Sequence, residues 1–188
     1  AAFSAASKIH MLSEQVAVSF GTAMATYAGQ NYGAGKAGRV REGLRKCALA
    51  CEAITLGIMV IMTAFGGVMS SWFIDGYHPE VIQQAHLYLF ISALFYPALT
   101  MLFLYRNTLL GLGNGVTPML AGVCELLSRM IGAPVLGHFF GFTGLCWINP
   151  IAWVTASGLL FLSYRKTMRN IRPVDPTVDA SDPNKIMN

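Results

Sequence analysis

Glu125 and Arg129 lie four residues apart in TPMLAGVCELLSRMIGAPVLG, a stretch that holds no other Asp, Glu, Lys or Arg. On a helix that spacing puts both on one face, with the acid nearer the N-terminus, the favourable order for an in-helix pair. Measured from Thr117 at about 1.5 Å per residue, Glu125 is about 12 Å and Arg129 about 18 Å into the helix. A charge near a bilayer midplane costs at least about 2.5–3.5 kcal/mol on insertion scales, so both side chains are expected to face the protein interior. Such a pair either ties its helix to its neighbours or handles a solute or ion, and the sequence leaves both readings open. Glu14, one turn beyond His10, is expected to be a solvated helix-end carboxylate, with an ion- or proton-carrying role as the alternative. Arg106 is expected to snorkel to an interface.

Other chemistry is tempting and weaker. GAGKAG, Gly33 to Gly38, matches the dinucleotide pattern G-x-G-x-x-G letter for letter, yet that fingerprint needs a preceding strand. A long apolar helix precedes it here. As a Walker A loop it fails twice, with Gln30 at the first glycine and Ala37 at the Ser/Thr that holds magnesium. The segment Gly29, Gln30, Asn31, Gly33 and Gly35 reads instead as a glycine-rich stop between two helices. Cys47, Cys51, Cys124 and Cys146 include no C-x-x-C pair and read as small packing residues, so no metal site and no cofactor is expected. His10, His78, His86 and His138 are scattered along the chain, which argues against an integral membrane enzyme.

The elements that position these residues follow from the charge-free runs. Gln15 to Gly35 and Ala53 to Ile74 contain no Asp, Glu, Lys or Arg, and Met130 to Tyr164 contains none either. A span needs about 20 apolar residues to cross a core about 30 Å thick. The last run is too long for one span, and Gly137, Gly141 and Gly144 mark its turn. Hydrophobic residues make up 54% and charged residues 12% of the chain, well below the usual quarter or so for charge. The fold class is therefore all-α: a polytopic membrane bundle with helices at about 5–30, 40–72, 81–110, 117–137 and 144–165. The second helix is expected to begin in the interface, Arg39 to Lys46, and to break near Gly66-Gly67. Pro97, Pro134 and Pro150 are expected to kink three successive helices. Gly21, Ala25 and Gly29 form a smooth stripe for close helix packing. Trp72, Trp147 and Trp153 fit an aromatic belt near the outer face.

The net charge of +4 is placed as a topology signal rather than a nucleic-acid surface, so no nucleic-acid partner is expected. Lys36, Arg39, Arg41, Arg45 and Lys46 cluster in one loop, and Arg165, Lys166, Arg169 and Arg172 follow the last span. The loops at 75–80 and 138–144 carry no Lys or Arg. The positive-inside rule puts the basic segments in the cytoplasm, so the chain enters from outside and ends inside a cell (inner or plasma) membrane. Residues 1–171 form the membrane unit; 172–188, rich in Asp and Pro, read as a disordered cytoplasmic tail. The chain starts on Ala1 with small residues that read as a continuing helix, and is expected to be a fragment.

The wording of several segments resembles the C-terminal half of the multidrug and toxic compound extrusion (MATE) family. The resemblance runs from Ala1 to about Ile171. It is carried by AAFSAASKI, GTAMATYAGQNYGAGK (Gly21 to Lys36), YRNTLLGLGN (Tyr105 to Asn114), TPMLAGVCELLSR (Thr117 to Arg129) and GFTGLCWINPIAW (Gly141 to Trp153). It implies most of one six-helix lobe, helices eight to twelve of twelve, with membrane lipid and a missing N-terminal lobe as partners. It implies antiport: a drug or cationic, amphipathic small molecule leaves as Na+ or H+ enters by alternating access. Candidates on the substrate or ion pathway are Glu14, Tyr96, Asn107, Glu125, Arg129 and Asn149. One departure is informative. Some relatives carry an aspartate midway along the tenth helix as part of a sodium site, and FYPALTMLFLYRN (Phe95 to Asn107) has no carboxylate. A lipid-linked precursor flippase of the same superfamily is the runner-up, with a more basic cavity than Arg129 alone suggests.

Overall fold

The computed structural model describes residues 2–71 and 79–171, and every element among them is helical. Trp72, most of the 75–80 loop and the 172–188 tail lie outside the described residues. The order is α1 (Ala2–Gly33), α2 (Ala37–Ser71), α3 (Pro79–Leu94), α4 (Tyr96–Gly111) and α5 (Val116–Asn170).

Two of these elements join or divide the expected spans. The third expected helix is α3 plus α4, bent by 52° at Phe95, just ahead of Pro97. The proline sits at the start of α4, where its missing N–H leaves no helical bond unmade. The fourth and fifth expected helices are the two arms of α5, parted at Gly141, whose φ of 57° and ψ of −139° suit only glycine. Contacts nest around that residue. Leu136 meets Gly144, Gly132 approaches Ile148, Arg129 bonds Asn149 and Thr117 bonds Ser163. The arms therefore run antiparallel as a hairpin. Pro134 and Pro150 lie within helical backbone, and Gly141 alone among α5 residues leaves it. The reversal falls at Gly141, one of the three glycines expected to turn this run. The expected break at Gly66-Gly67 is absent: α2 is continuous, and Gly66 instead admits the His86 ring.

Long apolar stretches able to cross a membrane occur in α2 and α5, and the bent α3–α4 pair makes a third span if taken together. Helix α1 lacks that apolarity. Its charge-free run is rich in Gly, Ala, Ser, Thr and Gln, and freedom from charge is not the same as greasiness. It packs against α4, α2 and α3, with Ala17, Gly21 and Ala28 buried while Ser19, Thr22, Ala23 and Thr26 stay exposed. The stripe expected there is realised. Gly21 lies against Asn107 and the Phe103 carbonyl, and Gly29 lies against Gly111. A side chain at Gly111 would run into the Ala25 carbonyl oxygen. Where lipid is as apolar as leucine, such close approach supplies the van der Waals energy that holds helices together.

Both basic-side turns are closed by the same device. After α1, Lys36 N–H donates to Asn31 O at 2.8 Å and Gly35 N–H to Tyr32 O at 2.9 Å, with Gly35 at φ 71°. After α4, Asn114 N–H donates to Leu109 O at 2.9 Å and Gly113 N–H to Leu110 O at 3.0 Å, with Gly113 at φ 82°. These are Schellman caps, which need a residue tolerant of positive φ at the turn. The glycine-rich stop read from the sequence is a cap of this kind.

Candidate transport pathway

The expected pair is a junction of three charges. Glu125 is buried, and one of its oxygens accepts from Arg106 while the other accepts from Arg129 Nη2 at 3.3 Å. Arg106 therefore turns inward from α4 rather than snorkelling to an interface. The reason is energetic: a buried carboxylate with a single half-exposed cation is poorly compensated, and a second guanidinium in reach supplies a strong charge-assisted bond.

From this junction hydrogen bonds lead to α3, and ring contacts lead on to α1. Arg129 Nε donates to Asn149 Oδ1 at 3.2 Å across the α5 hairpin. Asn149 Nδ2 donates to the Tyr88 hydroxyl on α3 at 3.1 Å. The Tyr88 ring stands edge-on to His10 of α1, with centroids 6.5 Å apart. His10 shares a 2.9 Å hydrogen bond with the Tyr96 hydroxyl and packs against the rings of Tyr96 and Trp153, with centroids at 5.5 and 5.3 Å, those two rings themselves lying 6.4 Å apart. Glu14 lies 3.9 Å from His10 Nε2 and feels the charges of Arg129, Glu125 and Arg106. Thus α1, α3, α4 and both arms of α5 contribute. Helix α2 takes no part; its buried polar contact is Thr55 with Thr100 at 3.1 Å.

Of the six pathway candidates, the structure brings five together: Glu14, Tyr96, Glu125, Arg129 and Asn149. Asn107 stands apart. Its amide donates to the Phe103 carbonyl in its own helix at 2.9 Å and abuts Gly21 in the α1–α4 seam. Four participants were not among the candidates: Arg106, expected at an interface, and His10, Tyr88 and Trp153. His10 looked like one of four scattered histidines, but 92% of it is hidden among aromatic rings. Tyr88 had no signal beyond being a phenol in an apolar run. Trp153 is buried against His10 rather than in a belt, whereas Trp147 is 40% exposed and meets Phe95. The one available clue to His10 was its four-residue spacing from Glu14. No group of three or more His, Cys, Asp or Glu among the described residues is arranged to hold a metal ion. The cysteines, all unpaired, fill packing positions, with Cys51 and Cys146 buried.

Two helices, or three spans if the bent α3–α4 pair is taken as one, are long and apolar enough to cross a membrane, and the interior between the helices holds a string of polar groups. The MatE family model matches residues 1–135, and the chain belongs to the MatE family. No curated protein matches the chain. Family membership carries a transport function in the broad sense, and with it a place in a membrane.

Proposed function

We propose that this chain is one lobe of a cation-coupled antiporter that exports drugs or cationic, amphipathic small molecules as Na+ or H+ enters. The observation that supports this most is the polar string that runs by ion pairs and hydrogen bonds from Arg106 through Glu125, Arg129 and Asn149 to Tyr88, with His10 and Glu14 set beside Tyr88 by a ring contact. Ionisable groups in membrane segments are costly, and their usual use is in solute or ion pathways. The string spans elements separated by the α3–α4 bend and the Gly141 reversal, where rigid segments can shift against one another. In this reading the lobe works against a second six-helix lobe, with the substrate between them. Among its charged side chains Glu14 and Arg129 are the most exposed and would meet the solute; Glu125 and Asn149 hold Arg129 in place.

The test uses the complete transporter in proteoliposomes carrying a fluorescent cationic dye. Dye movement should follow an imposed Na+ or H+ gradient, and Glu14→Gln should lower the rate at least tenfold while the protein still elutes as a folded species. Dye movement indifferent to both gradients would overturn the antiport reading. The chain without a second lobe is expected to move no dye. For orientation, a cysteine at Gly38 should resist an impermeant thiol reagent in intact cells and one at Glu80 should react; the reverse would overturn it.

A flippase for lipid-linked anionic precursors is the second reading, and one observation favours it. Two guanidiniums serve one buried carboxylate at the junction, which leaves a local excess of positive charge. Gradient-independent movement of a lipid-linked pyrophosphate would support it over antiport.

A further inference from the structure

The strongest unassigned feature is a groove of about 330 Å³ where α2, α4 and the second arm of α5 meet. Arg41 and Arg45 stand at its mouth, one helical turn apart on α2. Leu44, Leu49 and Met101 form its walls, and Tyr105 and Tyr164 close its side with rings 5.4 Å apart. The groove is separate from the polar string, to which α2 contributes nothing.

Its charges are unspent. Among the described residues no carboxylate pairs with Arg41 or Arg45, whereas Lys46, on the neighbouring face of the same turn, is held by Glu42 at 2.7 Å. No hydrogen bond among the described residues engages the hydroxyl of Tyr105 or Tyr164. The two arginines and the two phenols thus offer donors around one opening, and below it the lining is apolar apart from Glu52. A soluble anion would satisfy the donors and leave the apolar trough empty; a simple hydrocarbon would do the reverse. We infer that this groove is a site for an anionic phospholipid, its phosphate between Arg41 and Arg45 and an acyl chain along Leu44, Leu49 and Met101.

Depth agrees with this division. The polar headgroup zone is about 5–8 Å thick on each side of the hydrocarbon core. Arg41 and Arg45 lie near the start of α2, at the level of a headgroup. Glu52, which also lines the groove, is two turns farther along, about 10 Å from Arg45, and so lies beyond contact with the phosphate. Guanidinium forks suit phosphate oxygens in two-point contact, which a lone lysine would not provide. The basic pockets that bind anionic headgroups in membrane proteins lie between helices on the cytoplasmic side, the side that the lysine and arginine clusters specify here.

Native mass spectrometry of the full-length protein in detergent, titrated with phosphatidylglycerol or phosphatidylethanolamine, tests this independently of orientation and transport. Phosphatidylglycerol should bind more tightly. Arg41→Gln with Arg45→Gln should weaken it about thirtyfold, the effect of two headgroup-level cations. Lys36→Gln with Arg39→Gln removes as much charge from the same end without touching the groove, and should change binding less than about threefold. Equal weakening by both double variants, equal affinity for the two lipids, or displacement by millimolar glycerol 3-phosphate would each overturn the proposal. On the unaltered protein, a phosphatidylglycerol with a photoreactive acyl chain should label peptides containing Leu49 and Met101 more heavily than its phosphatidylethanolamine counterpart. Labelling that does not distinguish the two probes would overturn it even if the arginine variants fail to fold.

Discussion

The α1–α4 seam and the first arm of α5 meet the same requirement, holding a helix in place among apolar neighbours, by opposite means. In the seam, Gly21, Gly29 and Gly111 remove side chains so that backbones touch. The first arm of α5 keeps its bulk outward: Val116, Met119, Val123, Leu127 and Met130 are all exposed. It is held by a few polar rungs, Glu125 to Arg106, Arg129 to Asn149 and Thr117 to Ser163. The difference teaches where each region is vulnerable. Steric change breaks the seam, whereas loss of charge or of a hydrogen bond loosens the arm.

The largest effect should come from the seam. Gly111→Val places a Cβ against the Ala25 carbonyl, a backbone atom that cannot swing aside, and overpacking of that kind costs about 1–3 kcal/mol or more. The detergent-solubilised variant should lose most of its monodisperse fraction. Gly122→Ala, on the arm, meets nothing within 4 Å and should melt within experimental error of the parent. If the two variants behave alike, the contrast between the regions is wrong.

Next comes the arm's charge junction. Glu125→Gln leaves two guanidiniums without their acid, and breaking a buried pair typically costs about 3–5 kcal/mol. Because the Arg129 side chain is 43% exposed and that of Arg106 24%, water recovers part of this, so the loss should fall at or below the lower end. The double change Glu125→Gln with Arg129→Gln should recover only part of the thermal stability, since Arg106 still stands alone. Adding Arg106→Gln should recover more. Full recovery in the double variant would show that Arg106 does not share the acid.

The smallest effect belongs to the rung near the open end of the hairpin. Ser163 Oγ donates to Thr117 Oγ1 at 2.9 Å, and Ser163→Ala should cost about 1 kcal/mol, the usual net value of one such bond. Hydrogen exchange should rise in residues 116–120 and not in α1. A rise spread evenly over both would mean that the arm and the seam unfold as one unit.

Much of this was legible from the chain. Charge-free runs located the apolar helices α2 and α5, although the run in α1 lacks the apolarity of a span, and Gly33 to Gly35 announced a helix stop because few other residues tolerate positive φ. Glu125 and Arg129 stood out because a charge within lipid demands a reason. What could not be read was set by tertiary approach. Arg106 sits close enough to a helix end to snorkel, and only the placement of α4 against α5 turns it toward Glu125. His10 and Tyr88 are seventy-eight positions apart in sequence and belong to the site only because α1 packs on α3. The hairpin reversal, by contrast, was legible: it falls at Gly141, one of three glycines that marked the turn of the last charge-free run, in a conformation that only glycine adopts readily.

The hairpin at Gly141 also bears on how the chain enters its membrane. Its two arms are consecutive in synthesis, and the hydrogen-bond partners of Arg129 and Thr117 on the second arm, Asn149 and Ser163, arrive within a few dozen residues of the first. Entering the bilayer together, the arms can carry Arg129 already bonded to Asn149, so the insertion machinery never presents that guanidinium to lipid alone. Glu125 has the opposite timing. Its second cation, Arg106, has been made before it and waits in α4, so the acid finds its partner as the hairpin docks.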